Sequence, residues 1–245
     1  PKAIEDFIAQ KEVNDSTMAT VSPQIKALSA IEYLLFKEDV STTHQKFINN
    51  GKRLDYLKHS TSFLKAQAHR LANIWDKKGG NYADIFINSK DHGIKGSFNQ
   101  LFNGLYNAVN TSKVTKVGKP AGLERSPRTN PGIVQAPYSK QSLALLLQSV
   151  ETVEEVFFGD GHSNISDYIL FTSKDDKVND LIRKTINEVK QAIAAIPVPL
   201  HEAVDSHSEE VATLHEKLGA LNIWIAVDAR SVLSIIVTST DTDGD

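Results

Sequence analysis

An apolar series with helical spacing is the feature that most constrains the fold of this chain. Toward the C-terminal end, apolar residues recur in alternating steps of four and three, interrupted by one histidine. This spacing places them on one face of an α-helix. The series consists of Leu200, Val204, His207, Val211, Leu214, Leu218 and Leu221. It predicts a long amphipathic helix that packs against other helices.

Similar helical patterns occur along the rest of the chain. A second apolar series runs from Leu57 to Trp75 and stops before Lys77–Gly80, where glycine ends a helix. A third covers Ser142–Phe158. Further helices are predicted at about residues 2–10, 23–36, 41–49, 96–111, 175–195 and 220–233. The β-branched residues 235–240 predict at most a short terminal strand extension, so we expect an all-α fold.

The composition changes between Lys113 and Ser139, where four of the eight prolines and three of the 13 glycines lie. We expect no helix there, since proline and glycine disfavour helix interiors. A long irregular connection is typical of a crossover, a lid or a binding loop. We interpret it as a Pro/Gly-rich crossover over 119–141, which joins two packed up-down helical-bundle halves at 1–118 and 142–245.

Composition and charge exclude several classes of function. A chain of 245 residues buries enough core to fold without disulfides or metals. A net charge of -3, from intermixed basic and acidic residues, argues against nucleic acid as a partner. The absence of cysteine excludes thiolate zinc sites and cysteine nucleophiles. No apolar run reaches the roughly 20 residues of a transmembrane segment, and the chain starts at Pro1 without a signal peptide, so we expect an upstream segment to have been removed.

Glu32 is the carboxylate at the centre of the otherwise apolar stretch Ala27–Phe36. A buried carboxylate is costly unless it is paired, hydrogen-bonded, protonated or bound to a metal. Ser29 lies one helical turn earlier and is placed to share a hydrogen-bond network or a ligand with it. The alternative is that Glu32 faces solvent at the edge of the helix or pairs with a basic residue of a neighbouring helix.

His207 is a second candidate, because it interrupts an apolar helix face and is followed one turn later by Glu210. This spacing suits a carboxylate-rich metal site in a helical bundle. The alternative is a core histidine with an ordinary hydrogen bond. Neither His201-Glu202 nor His215-Glu216 extends to the His-Glu-x-x-His pattern, so the sequence does not support a zincin-type peptidase.

The crossover offers a third group of candidates. Arg125 and Arg128 lie near a Pro/Gly-rich turn and suit bidentate binding of a carboxylate or phosphate. Tyr138, Ser139 and Ser142 follow, and Ser142 is also well suited to cap the helix that begins there. No Gly-x-Ser-x-Gly elbow accompanies these serines.

The C-terminal stretch Thr240–Asp245 has the aspartate spacing and glycine of the first half of a calcium loop. The closing glutamate of such a loop is absent from the chain. The stretch is therefore either a partial calcium site or an acidic, disordered tail.

These segments, in their order along the chain, resemble the imelysin family of bacterial envelope proteins, which are described as metallopeptidase-like or iron-regulated. Glu32 and the apolar run after it are similar to the family's Gly-x-His-x-x-Glu segment. Ala27 and Ser29 stand where that motif has glycine and histidine. The other matching segments are Leu101–Leu105 with the turn Gly118–Pro120, Ala136–Ser142, and Val227–Asp245 with its Asp-Gly-Asp ending.

The resemblance implies an all-helical protein of two bundle-like halves, with the motif near their interface. It also implies an exported protein, periplasmic or associated with the outer membrane, that acts with the iron-uptake machinery of the envelope and binds a divalent metal or iron. A lipid anchor upstream of this chain would fit that location. The opening helices of the family's first bundle would lie upstream of Pro1 or be absent.

We therefore expect a non-enzymatic binding or accessory component of iron or metal acquisition, because a serine hydroxyl is a poor substitute for imidazole as a transition-metal ligand. The first alternative is a metal-dependent hydrolase that uses Glu32 and His207 as metal ligands. The second is a helical interaction scaffold in which Glu32 is only salt-bridged. The expected ligand-binding residues are Glu32, Ser29, Arg125, Arg128, Tyr138, Ser139 and Ser142.

Overall fold

The computed structural model describes residues 1–159 and 164–238. All regular secondary structure in these ranges is helical, which confirms the all-α prediction. Within the same ranges, every helix is too short or too polar to cross a bilayer. The chain divides into two compact units, Pro1–Asn88 and Ser89–Asp245.

The first unit contains six α-helices and a 3₁₀ turn at Pro23–Ile25 among its described residues. The helices are α1 (Lys2–Gln10), α2 (Asp15–Ala19), α3 (Leu28–Phe36), α4 (Val40–Asn49), α5 (Gly51–Trp75) and α6 (Tyr82–Ile87). Helices α1, α3 and α4 pack against α5. The small core that results includes Ile4, Ile8, Ala30, Leu34 and Tyr56.

Helix α5 begins at Gly51 because the side chain of Asn50 caps it, accepting the backbone N–H of Arg53 at 3.3 Å. Its buried residues are Arg53, Tyr56 and Ser60, all in the first three turns. The predicted apolar face from Leu57 to Trp75 is therefore wrong as a core face, although the helix does end at Trp75. Other helices pack on the start of α5, and these contacts decide which of its residues are buried. The spacing of apolar residues along α5 does not decide it.

The second unit is built from eight α-helices in its described part. They are α7 (Ser97–Thr111), α8 (Lys119–Ala121), α9 (Ser142–Phe158), α10 (Ile165–Ser173), α11 (Lys177–Ala195), α12 (Leu200–Ser206), α13 (Ser208–Ile223) and α14 (Arg230–Leu233). Two π-helical segments, Ser112–Gly118 and Trp224–Ala229, connect α7 to α8 and α13 to α14. Short 3₁₀ turns lie at Gly93–Lys95 and Pro131–Ile133.

Helix α11 forms the centre of the second unit, because α9 and α13 both pack against it. Its buried residues Ile182, Ile186, Val189 and Ile193 follow steps of four and three and lie on one face. The predicted C-terminal series is likewise buried at Leu200, Val204, Val211, Leu214, Leu218 and Leu221. The helix itself is not continuous, since His207 leaves the helical conformation (φ -135°, ψ 50°) and separates α12 from α13.

We predicted no helix between Lys113 and Ser139. This prediction is wrong for the residues up to Ala121, which are helical. Pro120 is the second residue of α8, which continues directly from the π-helical segment. Gly122 then ends the helix in the left-handed conformation with φ at 68°. Since α7 packs with α9 and α13, the compact units divide after Asn88, whereas the expected bundle halves divide at residue 118.

The described end of the chain, 235–238, is irregular and not a strand. It is nevertheless held by two asparagines of α7. The backbone N–H of Ile236 donates to Asn99 Oδ1 at 2.9 Å, and that of Thr238 donates to Asn103 Oδ1 at 2.7 Å. The expected calcium-loop residues after Thr238 lie outside the described residues.

Candidate functional site

The motif residues Ser29 and Glu32 lie one turn apart on α3, in the first unit. Ser29 is exposed, and its hydroxyl donates to the backbone carbonyl of Gln24 at 3.2 Å. A hydroxyl has a single hydrogen, so Ser29 does not donate to Glu32 in this arrangement. Glu32 is half-buried rather than enclosed. The helix therefore presents one carboxylate near its surface, with a serine that ties the first turn of α3 to the preceding turn.

Tyr33, the residue after Glu32, points into the unit and anchors α3. Its hydroxyl donates to Glu5 Oε1 of α1 at 2.6 Å, and Arg53 Nη1 of α5 donates to the same oxygen at 2.7 Å. The cluster of Glu5, Tyr33 and Arg53 thus joins three helices beneath the motif. It positions the backbone that carries Glu32.

The pKa values of this cluster follow from its contacts. Burial alone would raise the pKa of Glu5, but hydrogen bonds from Tyr33 and Arg53, and the charge of Arg53, lower it below its usual value. Burial, followed by the hydrogen bond to the Glu5 carboxylate, raises the pKa of Tyr33 to about 12. Glu5 is therefore the ionised partner and Tyr33 the neutral one at ordinary pH.

The crossover lies in the second unit and is held by local hydrogen bonds. The backbone N–H of Asn130 donates to the Pro120 carbonyl at 2.7 Å. Ser142 is buried, and its hydroxyl donates to the backbone carbonyl of Gln135. The predicted helix cap at Ser142 is wrong, because α9 starts with Ser142 inside its first turn and Gln141 at the cap position. The Ser142 hydroxyl instead fixes the crossover to the helix.

The other expected crossover residues differ in exposure. Arg125 and Arg128 are exposed, whereas Tyr138 and Ser139 are half-buried. The Ser139 hydroxyl lies 3.5 Å from the backbone carbonyl of Ala136. These residues lie in the second unit and the motif residues in the first. Ser29 and Glu32 thus lie together on α3 in the first unit, and the crossover residues lie together in the second unit.

A charged cluster on the second unit was not predicted. Lys113 Nζ and His215 Nε2 both lie 2.7 Å from Glu124 Oε1. The three side chains are 24%, 16% and 20% exposed, in the order Lys113, His215 and Glu124, so solvent screens them only in part. Burial opposes ionisation of Glu124, but the hydrogen bonds from Lys113 and His215 outweigh it and lower its pKa.

Gly118 makes room for this cluster. A Cβ atom at this position would lie 2.6 Å from Glu124 Cγ and 2.7 Å from its Oε1. Any larger residue would displace the carboxylate. The glycine in the π-helical segment therefore permits the contact between Glu124 and its two partners.

His207 lies at the junction of α12 and α13, where its Nδ1 is 2.8 Å from the Ser206 hydroxyl. It is half-buried, and its backbone N–H closes α12 on the Ala203 carbonyl at 2.8 Å. Its position at a helix junction, rather than in the middle of a helix, departs from the prediction. These contacts give His207 a structural role at the break.

A catalytic metal ion generally needs about three protein ligands. Over the described parts of the chain, no group of three histidine, aspartate or glutamate side chains converges on a common point. On α3 the motif contributes a single carboxylate, and the hydroxyl in place of the imidazole is already hydrogen-bonded to Gln24. The described residues do not fit a catalytic metal centre.

Taken together, these features define an all-helical protein that presents a surface carboxylate on a firmly anchored helix of its first unit. The sequence model of the family described as Imelysin matches residues 2–222. The chain therefore belongs to the imelysin family.

The fold also occurs in a crystal structure at 2.30 Å resolution of a protein from Parabacteroides distasonis ATCC 8503, provisionally named iron-regulated protein A precursor. The two chains are 19% identical, with a TM-score of 0.69. The match covers 94% of this chain and 72% of that one. At this identity the likeness shows the fold alone. No functionally curated protein matches the chain.

Proposed function

We propose that this protein is a non-enzymatic binding component of iron acquisition in the bacterial envelope, with Glu32 as a ligand of the iron. Membership of the imelysin family supports this proposal, as does the name of the Parabacteroides protein that shares the fold. In this proposal iron is the cargo of the protein and not a catalytic cofactor.

The observation that carries binding over hydrolysis is the contact of Ser29. Where the family motif has a histidine, this chain has a hydroxyl that donates to the Gln24 carbonyl. A metallohydrolase needs a metal held firmly enough to activate water. A binding protein can contribute one carboxylate to iron that brings further donors of its own. The half-buried position of Glu32 suits the second role better than the first.

The test uses iron as its nitrilotriacetate chelate, in which the chelator supplies several donors and leaves positions open for a protein carboxylate. The full chain is dialysed against this chelate, and retained iron is measured by elemental analysis. Because a carboxylate is a far stronger ligand for ferric iron than an amide, we expect Glu32→Gln to lower iron retention at least about tenfold.

Asp55→Asn is the matched control, since it removes a carboxylate from the exposed surface of the same unit, where Asp55 pairs only loosely with Lys58 at 3.4 Å. We expect this variant to retain as much iron as the unmodified chain. Equal retention by the unmodified chain and Glu32→Gln would remove Glu32 from the site. Metal-dependent peptide hydrolysis by the unmodified chain would favour the hydrolase alternative.

A further inference from the structure

The outer half of α5 and the short helix α6 expose an unusual number of large apolar side chains. We call this part of the first unit, residues 64–87, the tip. Every residue from 65 to 80 is exposed. The exposed fractions of its large apolar and aromatic residues range from 36% for Tyr82 to 76% for Ile87. The full set is Leu71, Ile74, Trp75, Tyr82, Ile85 and Ile87. Exposed apolar residues that cluster in this way mark an interaction surface.

The tip is a folded surface and not a loose loop. The Trp75 ring packs edge to face on Tyr82 with ring centroids 5.1 Å apart, and it lies 6.1 Å from the ring of Phe86. These contacts hold α6 against the end of α5. Leu71 lies one helical turn before Trp75 and therefore adjoins it. The exposed apolar side chains thus belong to one helical hairpin.

The charges of the tip are mainly positive. Its two acidic residues, Asp76 and Asp84, are outnumbered by four cations. The cations are Lys65, Arg70, Lys77 and Lys78, all of them exposed. None forms an ion pair with a carboxylate of the described residues, whereas Lys46, Lys52 and Lys58 of the same unit each have one. The tip is therefore a positive surface on a chain whose net charge is -3.

The cations of α5 lie at the edges of its apolar side. With 3.6 residues per turn, Arg70 lies about 100° around the helix from Leu71 in one direction, and Lys65 about 120° in the other. Long basic side chains in such positions extend their methylene groups along apolar surface and keep the charge in water. Lys77 and Lys78 follow directly after the helix end at Trp75. The apolar side chains are thus bordered by positive charge.

This arrangement fits a lipid surface better than another protein. Tryptophan and tyrosine are the residues that favour the boundary between lipid and water. Side chains as exposed as Ile85, at 58%, and Ile87, at 76%, project from the surface and do not line a groove for a partner helix. A second copy of the chain would bring the same four cations and would be repelled. Anionic lipid headgroups complement both the charge and the apolar side chains.

We propose that the tip docks on the surface of a bilayer that contains anionic phospholipids. The apolar side chains enter the headgroup region, and the four cations lie against the lipid phosphates. The contact is peripheral, and each described helix is too short or too polar to cross a bilayer. This docking does not rest on the proposed iron binding, since Glu32 lies on α3 and outside the tip.

The first test is co-sedimentation of the full chain with vesicles, in metal-free buffer at low salt. One set contains phosphatidylglycerol and phosphatidylcholine in equal parts, and the other phosphatidylcholine alone. We expect at least about tenfold stronger partitioning to the anionic vesicles, and weaker partitioning as salt is added. Equal partitioning to the two sets, or none to either, would overturn the proposal.

The second test locates the contact by fluorescence. The chain has two tryptophans, so Trp224→Phe leaves Trp75 as the reporter. We expect its emission to move to shorter wavelength when anionic vesicles are added, because the ring leaves water. A chain that sediments with the vesicles without this change would be docked through another surface, which would contradict the tip.

The apolar contribution is tested by a double variant, Leu71→Gln with Ile85→Gln. Neither substitution touches the ring contacts of Trp75, and glutamine is compatible with a helix. Partitioning to anionic vesicles should fall at least about tenfold. The matched control is Val40→Gln with Ile48→Gln on α4, where Ile48 is 61% exposed and Leu71 is 60% exposed. The control should stay within about twofold of the unmodified chain.

The charge contribution is tested in the same way. Lys77→Gln with Lys78→Gln should lower partitioning to anionic vesicles by about tenfold. The matched control is Lys2→Gln with Lys11→Gln, at exposed lysines near the two ends of α1. Equal losses in the two double variants would show that only the net charge of the chain matters and would overturn the site.

Sedimentation without lipid tests whether a second copy covers the tip instead. We expect the unmodified chain and the variant Leu71→Gln with Ile85→Gln to have the same oligomeric state. If the unmodified chain forms a dimer that this variant does not form, the tip is a contact between copies, and the membrane proposal is wrong.

Discussion

At the residue scale, the first unit depends on two tyrosines that donate to acceptors inside it. Tyr33 donates to Glu5, and the fully buried Tyr56 donates to the Ile25 carbonyl at 2.5 Å. Each bond fixes α3, or the turn before it, to another helix. Glu32 is thus carried by a helix whose inner face is held by a charged cluster rather than by apolar packing alone.

These contacts predict that Tyr33 and Tyr56 titrate late. Burial raises the pKa of both to about 12, assisted in Tyr33 by the Glu5 carboxylate. The unfolded value is about 10, so the folded chain holds these protons more tightly. The stabilisation is complete below pH about 10 and is lost as the pH rises toward 12.

Ultraviolet absorbance of the phenolate measures this titration. Tyr33→Phe and Tyr56→Phe should each remove one late step while the other remains. If Tyr33 and Tyr56 ionise near pH about 10 in the unmodified chain with the fold intact, their buried hydrogen bonds are contradicted.

At the element scale, π-helical segments extend two long helices of the second unit, α7 and α13, into the short helices α8 and α14. Asn99 and Asn103 on α7 bind the segment that follows α14 much as a neighbouring strand would. Their side-chain amides both donate to the Ile236 carbonyl, and their oxygens accept the N–H groups of Ile236 and Thr238. Two side chains thus satisfy the backbone of an irregular segment.

Asn103→Ala should release the end of this segment, because the N–H of Thr238 loses its acceptor. We expect the Thr238 amide to exchange with solvent at least about tenfold faster, with a loss of stability of about 1 kcal/mol. Hydrogen exchange followed by NMR measures both effects. Amides on α11, far along the chain, serve as the internal reference, and unchanged exchange at Thr238 would contradict the description.

Much of the helical architecture could be predicted, because buried faces such as those of α9 and α11 repeat every three or four residues. The break at His207 could not, since neither glycine nor proline marks it and the apolar spacing continues across it. The helical stretch to Ala121 could not be predicted either, because glycine and proline normally end a helix. Here Gly118 lies in the π-helical segment and Pro120 lies in α8.

Only the parts of the site formed by residues close together in the sequence could be predicted. The spacing of Ser29 and Glu32 places both on one helix whatever the rest of the fold does. The contact of Arg53 with Glu5 joins residues 48 positions apart, and that of His215 with Glu124 joins residues 91 positions apart. No local pattern encodes such pairings, because they depend on how whole helices pack.

At the scale of the whole molecule, the imelysin family match spans both compact units, and the motif lies in the first. The first unit holds Glu32, and the second holds the crossover and the large apolar core. The proposed iron binding through Glu32 therefore belongs to the first unit.

The most direct test of this claim is a zinc titration, by calorimetry, of four chains: the unmodified protein, Ser29→His, Glu32→Gln and the double variant. Restoring the imidazole adds a second donor one turn from Glu32, so Ser29→His should tighten zinc binding by at least about tenfold, and only while Glu32 is present. An equal gain in the Glu32→Gln background, or no gain in either, would contradict Glu32 as the centre of the site.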